Sequence, residues 1–175
     1  MEMIIVMLFF SVSGAVCVQL FTKAHLISES SINLNKATLY AQSVAELFQG
    51  YDGDVDEMGK DTALPSIVIG DSDNPDYNRL LILFDKDWNL LQSPAVDISS
   101  GTAAFILIAD IEKMQAAAVY ADTEFASKLS DDQMAIKCVI NVLDVRNEDS
   151  ITQSTNVING TSIYTLETDI YIGHE

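Results

Sequence analysis

The sequence predicts an α+β fold in which a long N-terminal helix, membrane-spanning in its first half, packs on a small antiparallel β-sheet. Three patterns predict it. A charge-free apolar run extends from Met3 to Phe21, an apolar stripe at three- and four-residue steps continues to Phe48, and a two-residue period takes over after residue 78. The 175 residues suffice for one ordinary domain with its own core. Their balance of 9 Lys+Arg against 26 Asp+Glu, a formal charge of −17, argues against a nucleic-acid binder, because phosphate contacts need cations. An apolar fraction of 49% is too high for a disordered acidic chain. Cys17 and Cys138 lie far apart in unlike surroundings, which excludes a disulfide framework, and both read as small apolar residues.

The run Met3–Phe21 (MIIVMLFFSVSGAVCVQLF) spans roughly 28 Å as a helix, enough to cross a bilayer. A signal-peptide h-region is shorter, follows basic residues and ends at a small-residue cleavage site; this run does neither. A buried core helix is the remaining alternative. Beyond Lys23, apolar residues recur as Ile27, Leu34, Ala37, Ala41, Val44 and Phe48, with Tyr40 and Leu47 widening the stripe. Asn35, Thr38, Gln42, Glu46 and Gln49 take the water-facing side. One helix is therefore expected from about Met1 to Gln49, stopped by Gly50, with SESS at Ser28–Ser31 as the place where it would break. The chain divides accordingly into a membrane half (1–22), an amphipathic half (23–49) and an extracytoplasmic head (50–175).

Residues 50–78 hold four glycines, two prolines and eight acids, and read as a long connection with one short strand at Ser66–Ile69. Arg79–Phe84 and Trp88–Gln92, joined by Asp85-Lys86-Asp87, read as a hairpin, and Ala103–Ile108, apolar on both faces, as a central strand. Met134–Val145 places Met134, Ile136, Cys138, Ile140 and Val142 on one face. Thr161–Ile172 places Tyr164, Leu166, Ile170 and Ile172 inward with Glu167 and Asp169 outward. Between Asp110 and Asp131, Ile111, Met114, Ala118, Ala121, Phe125 and Leu129 fall at helical spacing and predict a second helix, with a strand at Val119–Phe125 as competitor.

A glutamate at the start of a twenty-residue apolar helix (MEMIIVMLFF), an amphipathic continuation and a small antiparallel sheet together resemble type IV pilins and the pseudopilins of type II secretion. FDKDWN and GTSIYTLETDIYIG add a weaker similarity to prepilin-like proteins of clostridial-type bacteria. The likeness is specific over residues 1–49 and architectural over 50–175. It implies a pilin-like fold and a structural subunit of a pilus or secretion-type filament. The implied location is a bacterial membrane, single-pass, with the head extracytoplasmic or at the cell surface. The implied partners are other pilin-like subunits met through the helix, a prepilin peptidase and an assembly platform protein. Glu2 matches the family glutamate, whose partner is the N-terminal ammonium of a neighbouring subunit, and so sets register; the plainer reading leaves it in headgroup water at a helix N-terminus, where an acid is favoured. The family's short basic leader ending in glycine is expected upstream of Met1, where the chain departs from the pattern, and methylation falls on no residue present. Gly14 is the candidate for close helix packing or local unwinding.

Asp52, Asp54 and Asp56 (DGDVDE) are calcium candidates because some pseudopilins bind calcium in their heads. The EF-hand pattern fails, with Glu57 at its sixth position and Ala63 at its twelfth, so solvated loop charge is the plainer reading. Asp71, Asp73 and Asp76 form a second acidic group. His25 and His174 stand alone, without zinc-ligand spacing. No nucleophile and base pair, and no glycine-rich phosphate loop, points to an enzyme. Asn159-Gly160-Thr161 fits a glycosylation sequon and, better, a hairpin turn. The alternative from another class is an anchored extracytoplasmic sensor or ligand-binding module that never polymerises.

Overall fold

The computed structural model describes residues 2–61, 64–70, 74–92, 102–130, 132–146, 158 and 160–174. The chain forms two compact units, Met1–Lys36 and Ala37–Glu175. Helix α1 runs Glu2–Gly50 without a break at Ser28–Ser31. No proline interrupts it, and Gly14 is its one interior glycine.

Within the second unit, Ala37, Ala41, Val44 and Phe48 are fully buried, at steps of four, three and four residues. They pack on Leu80, Ile82, Phe105, Leu107, Cys138 and Ile140 of the sheet. The two alanines let the helix approach closely, and burial of Val44 and Phe48 contributes about 1.5–3 kcal/mol each. Gln42, Glu46 and Gln49 face water as expected, whereas Thr38 is half-buried. The helix does end at Gly50, but Gly50 is not what stops it. Gly53 N–H donates to the Phe48 carbonyl (2.9 Å) and Asp52 N–H to that of Gln49 (3.4 Å), with Asp52 at φ 51° and Gly53 at φ 78°. This is a Schellman motif in which Asp52 takes the left-handed position glycine usually fills. A one-turn helix follows, α2 (Val55–Met58).

The sheet is a five-stranded antiparallel meander in the order β1 (Ile67–Gly70), β2 (Tyr77–Phe84), β3 (Phe105–Gln115), β4 (Gln133–Asp144), β5 (Thr161–His174). β3 is central, as its two apolar faces require: Phe105, Leu107 and Ala109 join the helix-side core, while Ile106 and Ile108 join Leu81, Leu83, Leu143 and Val145 on the opposite face. On β4, Cys138, Ile140 and Val142 are buried on the predicted face, and on β5 Tyr164, Leu166 and Ile170 pack half-buried on the same core.

Three sequence expectations are corrected. The second helix does not form: β3 continues to Gln115, and only the single turn α3 (Ala116–Val119) and a 3₁₀ turn (Ala126–Lys128) follow. Neither is Val119–Phe125 a strand. The ladder holds Ile111 against Cys138 and Met114 against Ala135, so long-range pairing overrides the helical spacing of the apolar residues. Trp88–Gln92 is not a strand either. Only the bridge Phe84 to Leu90 survives there, because Trp88, at φ 64°, turns its indole into the core. Finally Ile172, expected inward, is 42% exposed at the end of edge strand β5.

Candidate functional site

The described surface offers two kinds of site: an exposed apolar helix and polar groups on the head. From Met3 to Phe21 the apolar side chains of α1 stand exposed on every side, with Met3 at 80%, Phe10 at 70% and Phe21 at 78%. The helix is long and apolar enough to cross a membrane. A Cβ added at Gly14 would meet nothing within 4 Å, so packing within the chain does not require glycine there. Cys17 is exposed on the same segment. Glu2 is the first helical residue by its backbone; its side chain lies outside the described residues.

The acidic loop has structural work to do. Asp54 is the N-cap of α2, its carboxylate accepting from Glu57 N–H at 3.1 Å. Asp52 holds the Schellman position, and Asp56 lies exposed in the first turn of α2, where its charge suits the helix N-terminus. Among the described residues no three His, Cys, Asp or Glu side chains converge to hold a metal, so Asp52, Asp54 and Asp56 are not brought together. Asp71, Asp73 and Asn159 lie outside the described residues. His25 is exposed on α1, and the His174 side chain is not described.

Sequence reasoning missed the polar cluster on the sheet face turned away from the helix. Register pairs Arg79 with Asp110, and the guanidinium meets the carboxylate through Nε at 2.6 Å and Nη2 at 3.2 Å. Tyr77 donates to the same carboxylate at 2.6 Å, and Asn74 Nδ2 to Glu112 at 3.3 Å. Burial, followed by the Asp110 hydrogen bond, pushes the Tyr77 hydroxyl up to about 12. For Arg79, burial favours loss of the proton, but the Asp110 carboxylate outweighs it and the net shift is upward. Further along the sheet Lys137 pairs with Glu167 at 2.9 Å, and Tyr120, after α3, donates to Asp169 of β5. The detectable signal was alternation: Tyr77 and Arg79, Asp110 and Glu112 each recur at a two-residue step.

This cluster has the chemistry of a structural clasp. Every charged group named in it has an ionic or hydrogen-bonding partner. Cys138, behind it on the helix side, is buried with its thiol pushed up to about 12 by burial and then by the Asp110 charge. Beside the amphipathic part of α1 run two open clefts, one lined by Tyr40, Ser43, Glu46, Leu47 and Leu64, the other by Gln42, Ala45, Glu46, Gln49 and Leu166. Both are shallow, unlike the enclosed pockets that hold small ligands. No protein family, no curated protein and no solved structure matches the chain.

Proposed function

We propose that the chain is a pilin-like or pseudopilin-like structural subunit of a type IV pilus or type II secretion-type filament, anchored in the membrane by its N-terminal helix before assembly. The observation that carries this reading is the segment Met3–Phe21, helical and exposed on all sides. Each large apolar side chain left in water forgoes about 1.5–3 kcal/mol, so the segment needs another solvent. Lipid is one, and the apolar helices of neighbouring copies are another; a subunit that moves from the first to the second needs a helix apolar all round. The amphipathic continuation ties this anchor to the head through Ala41, Val44 and Phe48, which are buried against the sheet. The work is mechanical, with no chemical step. The assembly platform and the peptidase that removes a leader are separate chains, and the head is extracytoplasmic.

In this reading Glu2 carries the register contact with the N-terminal ammonium of a neighbour, and Gly14 allows close helix approach. The test is Glu2→Ala in the full chain. Membrane insertion is expected to stay intact while assembly is lost or falls severely; normal assembly of the variant removes Glu2 from this role. Codons upstream of Met1 encoding a short basic leader that ends in glycine would favour the same reading, and their absence from the gene would favour an anchored module that never polymerises.

A further inference from the structure

We propose that ionic strength switches the association of this chain, with mobile cations on the head's side of the membrane as the regulator. The inference rests on the proposed filament reading and names what controls assembly there. Residues 50–175 hold 7 Lys+Arg against 23 Asp+Glu, a formal charge of −16, whereas Met3–Phe21 holds no charge. The cations of the head are already engaged within the chain. Lys60 pairs with Glu57 (2.7 Å), Arg79 with Asp110 (2.6 Å), Lys86 with Asp87 (2.8 Å), Lys137 with Glu167 (2.9 Å) and Arg146 with Asp144 (2.7 Å). Lys128 lies over the Phe125 ring, 5.8 Å from its centroid, and Lys113 is likewise engaged.

A second copy therefore brings no basic surface to the acids of the first. Exchange of partners across a contact leaves the surplus unchanged, since a cation gained by one acid is lost by another. A compact chain the length of the head has a radius of gyration of about 14 Å. At 0.01 M salt the Debye length is about 30 Å, so nearly all the charge of one head repels that of the next; at 0.15 M it is about 8 Å, and only facing groups do so. Helix association escapes this control, because Met3–Phe21 is uncharged and packs through van der Waals contact. Salt thus changes one of two opposed terms. In dilute solution the heads hold copies apart, and cations remove that opposition as a diffuse atmosphere. No fixed site is required, and among the described residues no three His, Cys, Asp or Glu side chains converge on one.

The test uses the full chain in phosphatidylcholine vesicles with a chelator present, association being read as the fraction in chemically cross-linked multimers. Raising sodium chloride from about 0.01 M to about 0.3 M is expected to increase that fraction about tenfold or more, and tetramethylammonium chloride is expected to match it. Asp56, Asp122 and Glu124 are exposed acids. The variant Asp56→Asn, Asp122→Asn, Glu124→Gln lowers the product of two head charges by about a third, and its midpoint is expected at about twofold lower ionic strength. Salting-out of apolar surface would not move that midpoint. Should the triple variant fail to fold, Asp122→Asn, Glu124→Gln is expected to shift the midpoint the same way by less, and Asp122→Glu, Glu124→Asp to leave it in place. Association indifferent to salt, an unmoved midpoint, or a response to sodium without one to tetramethylammonium overturns the switch while leaving self-assembly standing. A wild-type chain that associates at no ionic strength overturns the filament reading itself.

Discussion

Asp52, Asp54 and Gly53 show how far single residues could be read. A row of acids beside glycines invited a ligand-binding interpretation, yet Asp52 and Asp54 serve backbone geometry, one in a left-handed helix stop and the other as an N-cap. Composition cannot distinguish these roles, because the same short carboxylate suits both. Gly53 is the least replaceable of the group: at φ 78°, an added Cβ would lie 2.7 Å from Ile136 Cδ1 and 3.2 Å from Phe48 Cε2. Gly53→Ala is expected to destabilise the head by about 1–3 kcal/mol, measured by denaturant unfolding in detergent. Titrating groups bound the pH range. Hydrogen bonds from Asn89 hold the Asp85 carboxyl below its ordinary 3.8, and those from Arg146 do the same for Asp144. Their contribution is therefore present above pH 3.8 and lost as pH falls below it. Tyr77 and Tyr120 are raised from 10.0 to about 12, chiefly by burial, and Cys138 from 9.0 to about 12. Their neutral forms are favoured by folding, so that contribution is complete below about pH 9 and declines as pH rises toward 12. Thermal unfolding across pH should show a plateau between these limits, and a midpoint falling steadily from pH 6 to 9 would contradict the assignment. Cys138 is expected to resist thiol reagents until the head unfolds.

Elements are legible in the sequence where a single period dominates and obscure where two compete. β4 and β5 show clean alternation, and their ends fall within two residues of the expected ones; the amphipathic half of α1 is equally plain through Ala37, Ala41, Val44 and Phe48. The stretch after Asp110 is not. Ile111 and Met114 are three residues apart, which suits a helix, yet they point to opposite faces of β3, where each finds cover. The deciding information lies in β2 and β4, whose ladders recruit the whole of β3, and one segment's periodicity does not contain it. The turn at Asp85–Asn89 hides its role similarly. Asp85 accepts from Asp87 N–H and Asn89 N–H, both at 2.8 Å, so the chain reverses and Trp88 stacks on Phe105, with ring centroids 4.2 Å apart. Tyr40 of α1 donates to the Trp88 carbonyl at 3.3 Å, joining helix to turn. Two substitutions probe this helix-to-sheet attachment. Phe48→Ala removes a fully buried ring and is expected to cost about 3–5 kcal/mol. Tyr40→Phe loses one half-exposed hydrogen bond while keeping the stack, at about 0.5–1.5 kcal/mol. Equal losses from the two would show that the ring packing had been misjudged.

For the whole molecule, a charge of −17 and an apolar fraction of 49% coexist because they occupy different parts of the chain. Glu2 is the only acid among the first 28 residues, and the head holds most of the others. In the proposed reading the two parts meet different solvents, lipid for the apolar helix and water for the head. The long apolar helix and its continuation onto a sheet are legible in the amino-acid sequence, because a charge-free run and a stripe at helical steps are local signals. The polar clasp of Tyr77, Arg79 and Asp110 is not, since its members come from two strands and meet only through register. The proposed filament role turns on what would surround Met3–Phe21 outside lipid. The most direct measurement is to express the full gene, with its upstream codons, beside a type IV-type assembly machinery, and to follow the chain from the membrane fraction into sheared, sedimentable filaments. As the proposed filament subunit, the chain is expected to insert as a single-pass protein and then to appear in filaments, while Glu2→Ala inserts equally but stays in the membrane. A chain that remains monomeric in the membrane while the machinery assembles other subunits would contradict it.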